Sequence, residues 1–202
     1  MLPVLDLAQA DTDRAGFRAA LRGATHDSGF FYLTGHGVPQ AQIDELLTIA
    51  RRFFALPAAA KQEISQLRSP QFRGYSRLGG ELTNGAVDWR EQVDIGPELP
   101  VLAGAEGYLR LQGPNLWPSA LPEFRTAFEA WDAALATVGH RLLRHWAAAL
   151  GAAEDVFDAA FADRPATLIK VVRYPGSAAN PQGVGAHKDS EVLTLLLLEP
   201  DS

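Results

Sequence analysis

A run of apolar residues with helical spacing, from Leu121 to Leu150, most constrains how this chain can fold. Apolar side chains recur along it every three or four positions, which places them on one face of an α-helix. They are Leu121, Phe124, Phe128, Trp131, Leu135, Val138, Leu142, Trp146 and Leu150. Gly151 follows directly and favours the left-handed backbone that ends many helices. The pattern therefore predicts one long helix with a buried apolar face. We expect His140 and His145 on it to be solvated or to face the negative end of the helix dipole.

Shorter patterns on either side of this helix indicate the remaining elements. The predicted strands are Leu2–Leu7, Phe30–Thr34, a short strand near residues 91–95, Thr167–Tyr174 and Val192–Leu198. Two further helices are predicted, one beginning near Asp11 and one beginning at Gln40 and ending before Pro57, together with a short helical piece around Glu154 to Phe161. This order favours an α+β protein in which the helices are segregated from a β core.

Composition excludes several classes of function. The chain has 18 Lys and Arg against 24 Asp and Glu, and this net charge of −6 argues against nucleic-acid or anionic membrane partners. The absence of cysteine excludes disulfides, zinc–thiolate sites and cysteine nucleophiles. The longest apolar run, Val192–Leu198, is far shorter than the ~20 residues that cross a bilayer. We therefore expect a cytoplasmic protein.

His187 and Asp189 form the pair of residues with the clearest chemical potential. They are two positions apart, so their side chains project from the same face of an extended chain. An imidazole nitrogen and a carboxylate oxygen are two of the three ligands in the facial triad of non-haem Fe(II) oxygenases. Taken alone, a His-x-Asp pair is more typical of a chance surface arrangement than of a metal site.

Six segments that precede this pair carry a family resemblance. In order along the chain they read LPVLDL, GFFYLTGHGVP, RRFFALPAAAKQ, FRGYSR, DWREQVDIG and GPNLWP. Together with the stretch from Tyr174 to Leu196, they resemble successive blocks of the isopenicillin N synthase-like, Fe(II)/2-oxoglutarate-dependent oxygenases. The resemblance implies a double-stranded β-helix (jelly-roll) core, with N-terminal helices and the long helix packed along it.

The resemblance also implies roles for individual residues. His187 and Asp189 would bind Fe(II), and 2-oxoglutarate and O2 would take the remaining positions on the ion. Tyr174 matches a tyrosine that faces the co-substrate or substrate carboxylate in relatives, although a strand residue with a bonded hydroxyl is an equal alternative. Arg73 and Tyr75 lie in a segment that reaches the substrate pocket in relatives; the alternative for Arg73 is a solvated loop residue.

Two departures from the family pattern bear on these expectations. Val172 stands where many plant relatives have asparagine. The family's third ligand, a histidine, and its Arg-x-Ser motif for 2-oxoglutarate follow the His-x-Asp by tens of residues, whereas this chain ends at Ser202. We therefore expect a jelly roll that is incomplete at the C-terminus, in a piece of a larger enzyme that is inactive alone. Residues 1–118 would be the N-terminal dioxygenase region, and residues 119–202 the long helix and first part of the oxygenase domain.

The predicted function is an oxygenase that couples decarboxylation of 2-oxoglutarate to oxidation of a small-molecule substrate. Two alternatives remain open, namely an oxidase of the same family that does not use 2-oxoglutarate, and a catalytically silent relative that only binds a ligand. An iron titration distinguishes the silent relative from the enzymes. Neither the substrate nor the oligomeric state follows from the sequence.

Overall fold

A computed structural model describes residues 1–162, 166–176, 182–189 and 191–199. These residues form six α-helices and seven β-strands, which confirms the predicted α+β class. In chain order the elements are β1 (Val4–Asp6), α1 (Gln9–Thr12), α2 (Arg14–Asp27), β2 (Tyr32–Thr34), α3 (Gln40–Phe54), α4 (Ala58–Gln62), β3 (Gly74–Ser76), β4 (Glu81–Thr83), β5 (Ala86–Asp88), β6 (Glu91–Ile95), α5 (Glu123–Ala149), α6 (Asp158–Phe161) and β7 (Ile169–Arg173). Two 3-10 helices are also present, Gln66–Arg68 and Gly107–Leu111.

The chain forms two compact units, each assembled from separate stretches of sequence. The first contains the described residues within 1–43, 131–165 and 193–202. In it, β1 and β2 pair in parallel, with Leu5 opposite Leu33. Helix α2 begins after Asp13, whose carboxylate accepts a hydrogen bond from the backbone N–H of Gly16 at 2.9 Å. This cap satisfies one of the N–H groups that the first turn of a helix leaves without a partner.

One apolar cluster forms the core of the first unit. Its buried members are Leu5, Leu7, Ala10, Phe17, Leu21, Ala24, Val138 and Leu142. Leu193 and Leu195 pack against this cluster, while Leu196 and Leu198 are exposed. The prediction of a strand over Val192–Leu198 is nevertheless wrong for this structure, because residues 193–199 adopt no regular secondary structure. A β-strand requires a hydrogen-bonded neighbour, and within the described ranges no strand pairs with this segment.

The long helix is present as predicted, and it contributes to both units. Helix α5 has 27 residues, and its buried apolar residues are Phe124, Phe128, Trp131, Val138, Leu142, Leu143 and Ala147. Gly151 ends it with a φ of +83°, and the N–H of Ala152 donates to the carbonyl of Ala147. Leu150, the last residue of the predicted stripe, follows the helix and is exposed.

His145 on the same helix differs from its predicted solvated state. It is buried and packs edge-on against Phe17, with ring centroids 5.4 Å apart. Burial first, and then the positive charges of Arg18 and Arg141, lower the pKa of the His145 imidazole. The environment therefore favours the neutral form of this imidazole.

The second unit contains the described residues within 44–130 and 166–192, and it is built around a three-stranded antiparallel sheet in the order β3–β6–β7. Strands β4 and β5 form a separate hairpin joined by Asn84 and Gly85, both with positive φ as tight hairpin turns require. Buried aromatic rings pack in the core of this unit. The ring centroid of Phe124 lies 5.0 Å from that of Phe53 and 4.4 Å from that of Phe128. In the part of the chain that the structure describes, no helix is long and apolar enough to span a membrane.

Candidate metal centre

His187 and Asp189 lie together in the second unit, on the chain that follows β7. The Nε2 atom of His187 is 3.4 Å from Oδ1 of Asp189, and each side chain is about half exposed. The structure therefore brings the two predicted ligands onto one side of the chain, as their spacing suggested.

A backbone contact orients the His187 imidazole. Its Nδ1 lies 2.8 Å from the carbonyl oxygen of Gly185. Because a carbonyl can only accept, Nδ1 carries the proton in this contact, and in the neutral ring the lone pair is then on Nε2, toward Asp189. Metal-binding histidines commonly have this arrangement, in which the second ring nitrogen donates to a carbonyl and sets the tautomer.

The donor set fits two positions of a metal centre. Ligands on adjacent corners of an octahedron, each about 2.1 Å from the ion, lie about 3 Å apart, so a small movement would place Nε2 and Oδ1 on one ion. Among residues 1–162, 166–176, 182–189 and 191–199, no group of three or more His, Asp or Glu side chains could hold a metal ion. The described residues therefore supply a two-donor site.

Tyr174 lies directly after β7 and is half exposed. Its ring packs against the chain that leads to His187, because a Cβ built at Gly183 would be only 2.9 Å from Cδ1 of Tyr174. The aromatic side chain therefore contacts the same loop that carries the predicted ligands.

Tyr75 is buried on β3, and its hydroxyl donates to Oε2 of Glu91 at 2.6 Å. Burial, followed by this hydrogen bond to a carboxylate, raises the pKa of the Tyr75 hydroxyl above its ordinary value. Glu91 also accepts from Arg173, the neighbour of Tyr174, at 2.9 Å. Tyr75 is thus connected through Glu91 to the end of β7, the strand that precedes the segment with His187 and Asp189.

Arg73 is partly buried rather than solvated. Its Nη1 donates to the carbonyl of Gln71 at 2.9 Å, and its Nη2 donates to the carbonyl of Leu111 at 3.2 Å. Burial lowers the pKa of the Arg73 guanidinium, and the nearby Asp94 carboxylate opposes that shift. The described contacts of Arg73 therefore join its own loop to the end of the 3-10 helix Gly107–Leu111 in the second unit.

Asp88, at the end of β5, is a residue that the sequence did not single out. Its side chain is fully buried, and its carboxylate accepts hydrogen bonds from Thr83, Gln182 and the backbone N–H of Gly185. Burial raises the pKa of this carboxyl, but these hydrogen bonds outweigh burial and leave the pKa below its ordinary value. The only sequence indication was its position at the start of the DWREQVDIG segment.

The family model described as "non-haem dioxygenase in morphine synthesis N-terminal" matches residues 2–120. The chain belongs to this non-haem dioxygenase family. A fungal member, the 2-oxoglutarate-dependent dioxygenase frbJ of Dothideomycetidae sp. (strain 11243), is 35% identical over 97% of this chain and 55% of its own length. Homoarginine-6-hydroxylase 2-ODD-C23 of Glycine max is 33% identical over 88% of this chain and 56% of its own length. The predicted resemblance to Fe(II)/2-oxoglutarate-dependent oxygenases is confirmed.

Solved structures of dioxygenases share the fold. A 2OG-Fe(II) oxygenase family protein from Caulobacter crescentus superposes with a TM-score of 0.72 at 24% identity, covering 89% of this chain and 59% of its own. JOX2, solved in complex with 2OG, Fe and JA, superposes with a TM-score of 0.67 at 28% identity, covering 93% of this chain and 53% of its own. This dioxygenase chain spans a little over half the length of the curated relatives described above.

Proposed function

We propose that this chain is part of an oxygenase that uses Fe(II), 2-oxoglutarate and O2 to oxidise a small molecule. The observation that carries the proposal is the paired imidazole and carboxylate of His187 and Asp189, in a chain that belongs to the non-haem dioxygenase family. The names of the relatives, several of which are 2-oxoglutarate-dependent dioxygenases, favour this co-substrate over the oxidase alternative.

His187 and Asp189 would hold the iron through Nε2 and a carboxylate oxygen. When bound, Fe(II) supplies the redox chemistry that splits 2-oxoglutarate and activates O2. The Gly185 carbonyl keeps the proton on Nδ1 of His187, so that Nε2 is available as a ligand. The half-exposed Tyr174 offers a hydroxyl to a carboxylate of the co-substrate or substrate.

The proposed participation of Arg73 and Tyr75 in substrate binding is supported by their place in the FRGYSR segment. Their described hydrogen bonds are with the protein. We also propose a jelly-roll core, to which residues 119–202 contribute and which residues 1–118 precede. The similarity to solved 2-oxoglutarate oxygenases supports this architecture.

The substrate class is proposed to be a small organic molecule. Relatives are named as hydroxylases of homoarginine, and one solved neighbour contains JA. Both observations concern other proteins, and they support the class of substrate rather than its identity.

A metal-binding measurement tests the proposal. In the full-length protein, His187→Ala and Asp189→Ala should each weaken Fe(II) binding about 100-fold or more, because each removes one protein ligand. His26→Ala is the matched control, since His26 forms an equally local but exposed pair with Asp27 at 2.7 Å. Unchanged Fe(II) binding in both ligand variants would contradict the assignment. Iron binding without decarboxylation of 2-oxoglutarate by the unsubstituted protein would instead support the oxidase that does not use 2-oxoglutarate. Failure of the unsubstituted protein to bind iron would support the silent relative.

A further inference from the structure

The segment directly before His187, residues 182–186, has no regular secondary structure, and we call it the pre-ligand loop. Four hydrogen bonds join it to the chain around the β4–β5 hairpin. Two of them end on the carboxylate of Asp88, from the Gln182 side chain at 3.0 Å and from the Gly185 N–H at 3.1 Å. The other two are from the Trp89 N–H to the Gln182 carbonyl, and from the Asn84 side chain to the Ala186 carbonyl, both at 2.9 Å.

The hydrogen-bond acceptor positions of the Asp88 carboxylate are all occupied by neighbouring groups. Besides the two loop donors, it accepts from the hydroxyl of Thr83 at 2.7 Å and forms an ion pair with Arg90 at 3.3 Å. A carboxylate accepts about four hydrogen bonds, so every position on Asp88 is occupied. A fully buried charge is tolerated only when it is satisfied in this way. Hydrogen bonds from the pre-ligand loop therefore help to stabilise the buried charge of Asp88.

Gly185 lies in close contact with the hairpin. A Cβ built on Gly185 would be 2.7 Å from Cγ2 of Thr83 and 2.9 Å from its Cβ. Real Cβ atoms do not approach other atoms this closely, so a larger residue would push the loop away from the hairpin. The loop is thus held by direct packing as well as by hydrogen bonds.

Gly185 connects Asp88 to the predicted ligand. Its N–H donates to Oδ1 of Asp88, and its carbonyl accepts from Nδ1 of His187. One residue therefore links the buried carboxylate to the imidazole whose Nε2 lies beside Asp189. Moving Gly185 away from Asp88 would move the carbonyl that orients the His187 ring.

We propose that Asp88 is a positioning residue for the metal centre, which fixes the pre-ligand loop and, through Gly185, the orientation of His187. The inference rests on the proposed iron site. Asp88 does not touch the ion in this arrangement; it acts through a peptide unit and an imidazole. Partners of this kind commonly contribute 10–100-fold to metal affinity.

Asp88→Ala, Asp88→Asn and Asp94→Ala in the full-length protein test the proposal, with Co(II) as the metal probe. Asp94 is the matched control, because it is a buried aspartate of the same unit whose described hydrogen-bond donors are Gln66, Gln92 and Lys170, outside the pre-ligand loop. Asp88→Ala should weaken Co(II) binding at least tenfold, measured on folded protein well below its melting temperature. Asp88→Asn keeps an oxygen that can accept from Gln182 and Gly185, and should remain within about threefold of the unsubstituted protein.

Amide hydrogen exchange gives a second readout that does not depend on the metal. The Gly185 amide should exchange faster in Asp88→Ala and not in Asp94→Ala, because only the first loses the acceptor of that N–H. If Asp88→Ala does not fold, Gln182→Leu replaces it. Gln66→Leu is then the control, since Gln66 donates to Asp94 at the same distance of 3.0 Å.

Equal effects of the Asp88 and Asp94 variants on Co(II) affinity would overturn the proposal, because that pattern reflects general loss of packing. Unchanged affinity in Asp88→Ala would also overturn it. Failure of the proposed function is recognised separately, since the unsubstituted protein would then bind no metal, or His187→Ala would bind it equally well.

Discussion

Replacement of Lys61 by Met is the most informative test of how the second unit is stabilised. Lys61 is buried, and its ammonium group donates to Oε2 of Glu91 at 2.7 Å and to the carbonyl of Phe54 at 3.1 Å. Glu91 is 4% exposed and accepts two further hydrogen bonds, from Tyr75 and Arg173. Methionine preserves the length and apolar stem of Lys61 and removes only its charge and donors.

The expected loss follows from these contacts. Removing one partner of a buried ion pair costs about 3–5 kcal/mol, because the other charge is left uncompensated. Tyr75 and Arg173 still donate hydrogen bonds to Glu91 in the variant. We therefore expect Lys61→Met to lower the free energy of unfolding by about 3 kcal/mol, the lower end of this range. Glu91→Gln alone should cost a similar amount. The double variant should then be about 1–3 kcal/mol more stable than the sum of the two losses, since the residues are in direct contact.

Urea unfolding at pH 7, followed by circular dichroism, measures these free energies. Lys170→Met is the matched control, because Lys170 bonds to the buried Asp94 at 2.8 Å while its own side chain is 46% exposed. The control should lose about 1 kcal/mol or less, as partly exposed pairs do. A Lys61→Met loss no larger than that of the control, or strictly additive losses with Glu91→Gln, would refute the reasoning.

The same cluster predicts a dependence on pH. Burial raises the pKa of the Glu91 carboxyl, but hydrogen bonds from Lys61, Tyr75 and Arg173 outweigh it and leave the pKa below its ordinary value. A carboxyl with a lowered pKa in the folded state stabilises the protein above its unfolded-state pKa, and this stability is lost as the pH falls through the folded-state value. Glu91→Gln should therefore reduce the loss of stability below about pH 4.5.

Two further predictions concern the first unit. The buried His145 has a lowered pKa, so below about pH 6.5 the unfolded chain binds a proton that the native state does not, and the free energy of unfolding should fall as the pH drops. His145→Phe should abolish that pH dependence between pH 6.5 and 5. His26→Phe, at an exposed site, should leave it in place. Trp131→Ala should lower the free energy of unfolding in urea by about 3–5 kcal/mol, because Trp131 is 7% exposed. Leu150→Ala, at a 54% exposed position, is the control and should lower it by less than about 1 kcal/mol. Equal losses would mean that the apolar face of α5 is exposed to solvent.

Local patterns in the sequence determined much of this protein. The spacing of apolar residues predicted α5, because helical geometry places every third or fourth side chain on one face whatever the rest of the chain does. Gly151 marked a helix end for a similarly local reason. The two-residue spacing of His187 and Asp189 placed both donors on one side of the chain, and the structure has them 3.4 Å apart.

Tertiary structure decided the features that depend on distant partners. Val192–Leu198 has the composition of a strand, but a strand forms only where a neighbour supplies hydrogen bonds. Leu193 and Leu195 pack on the core of the first unit without that pairing. Nothing in the sequence indicated that the carboxylates of Asp88 and Glu91 are buried, because donors that satisfy them are as far as 97 and 82 positions away. Their burial is stable only after those segments have come together, since an unpaired charge in the interior is too costly to persist.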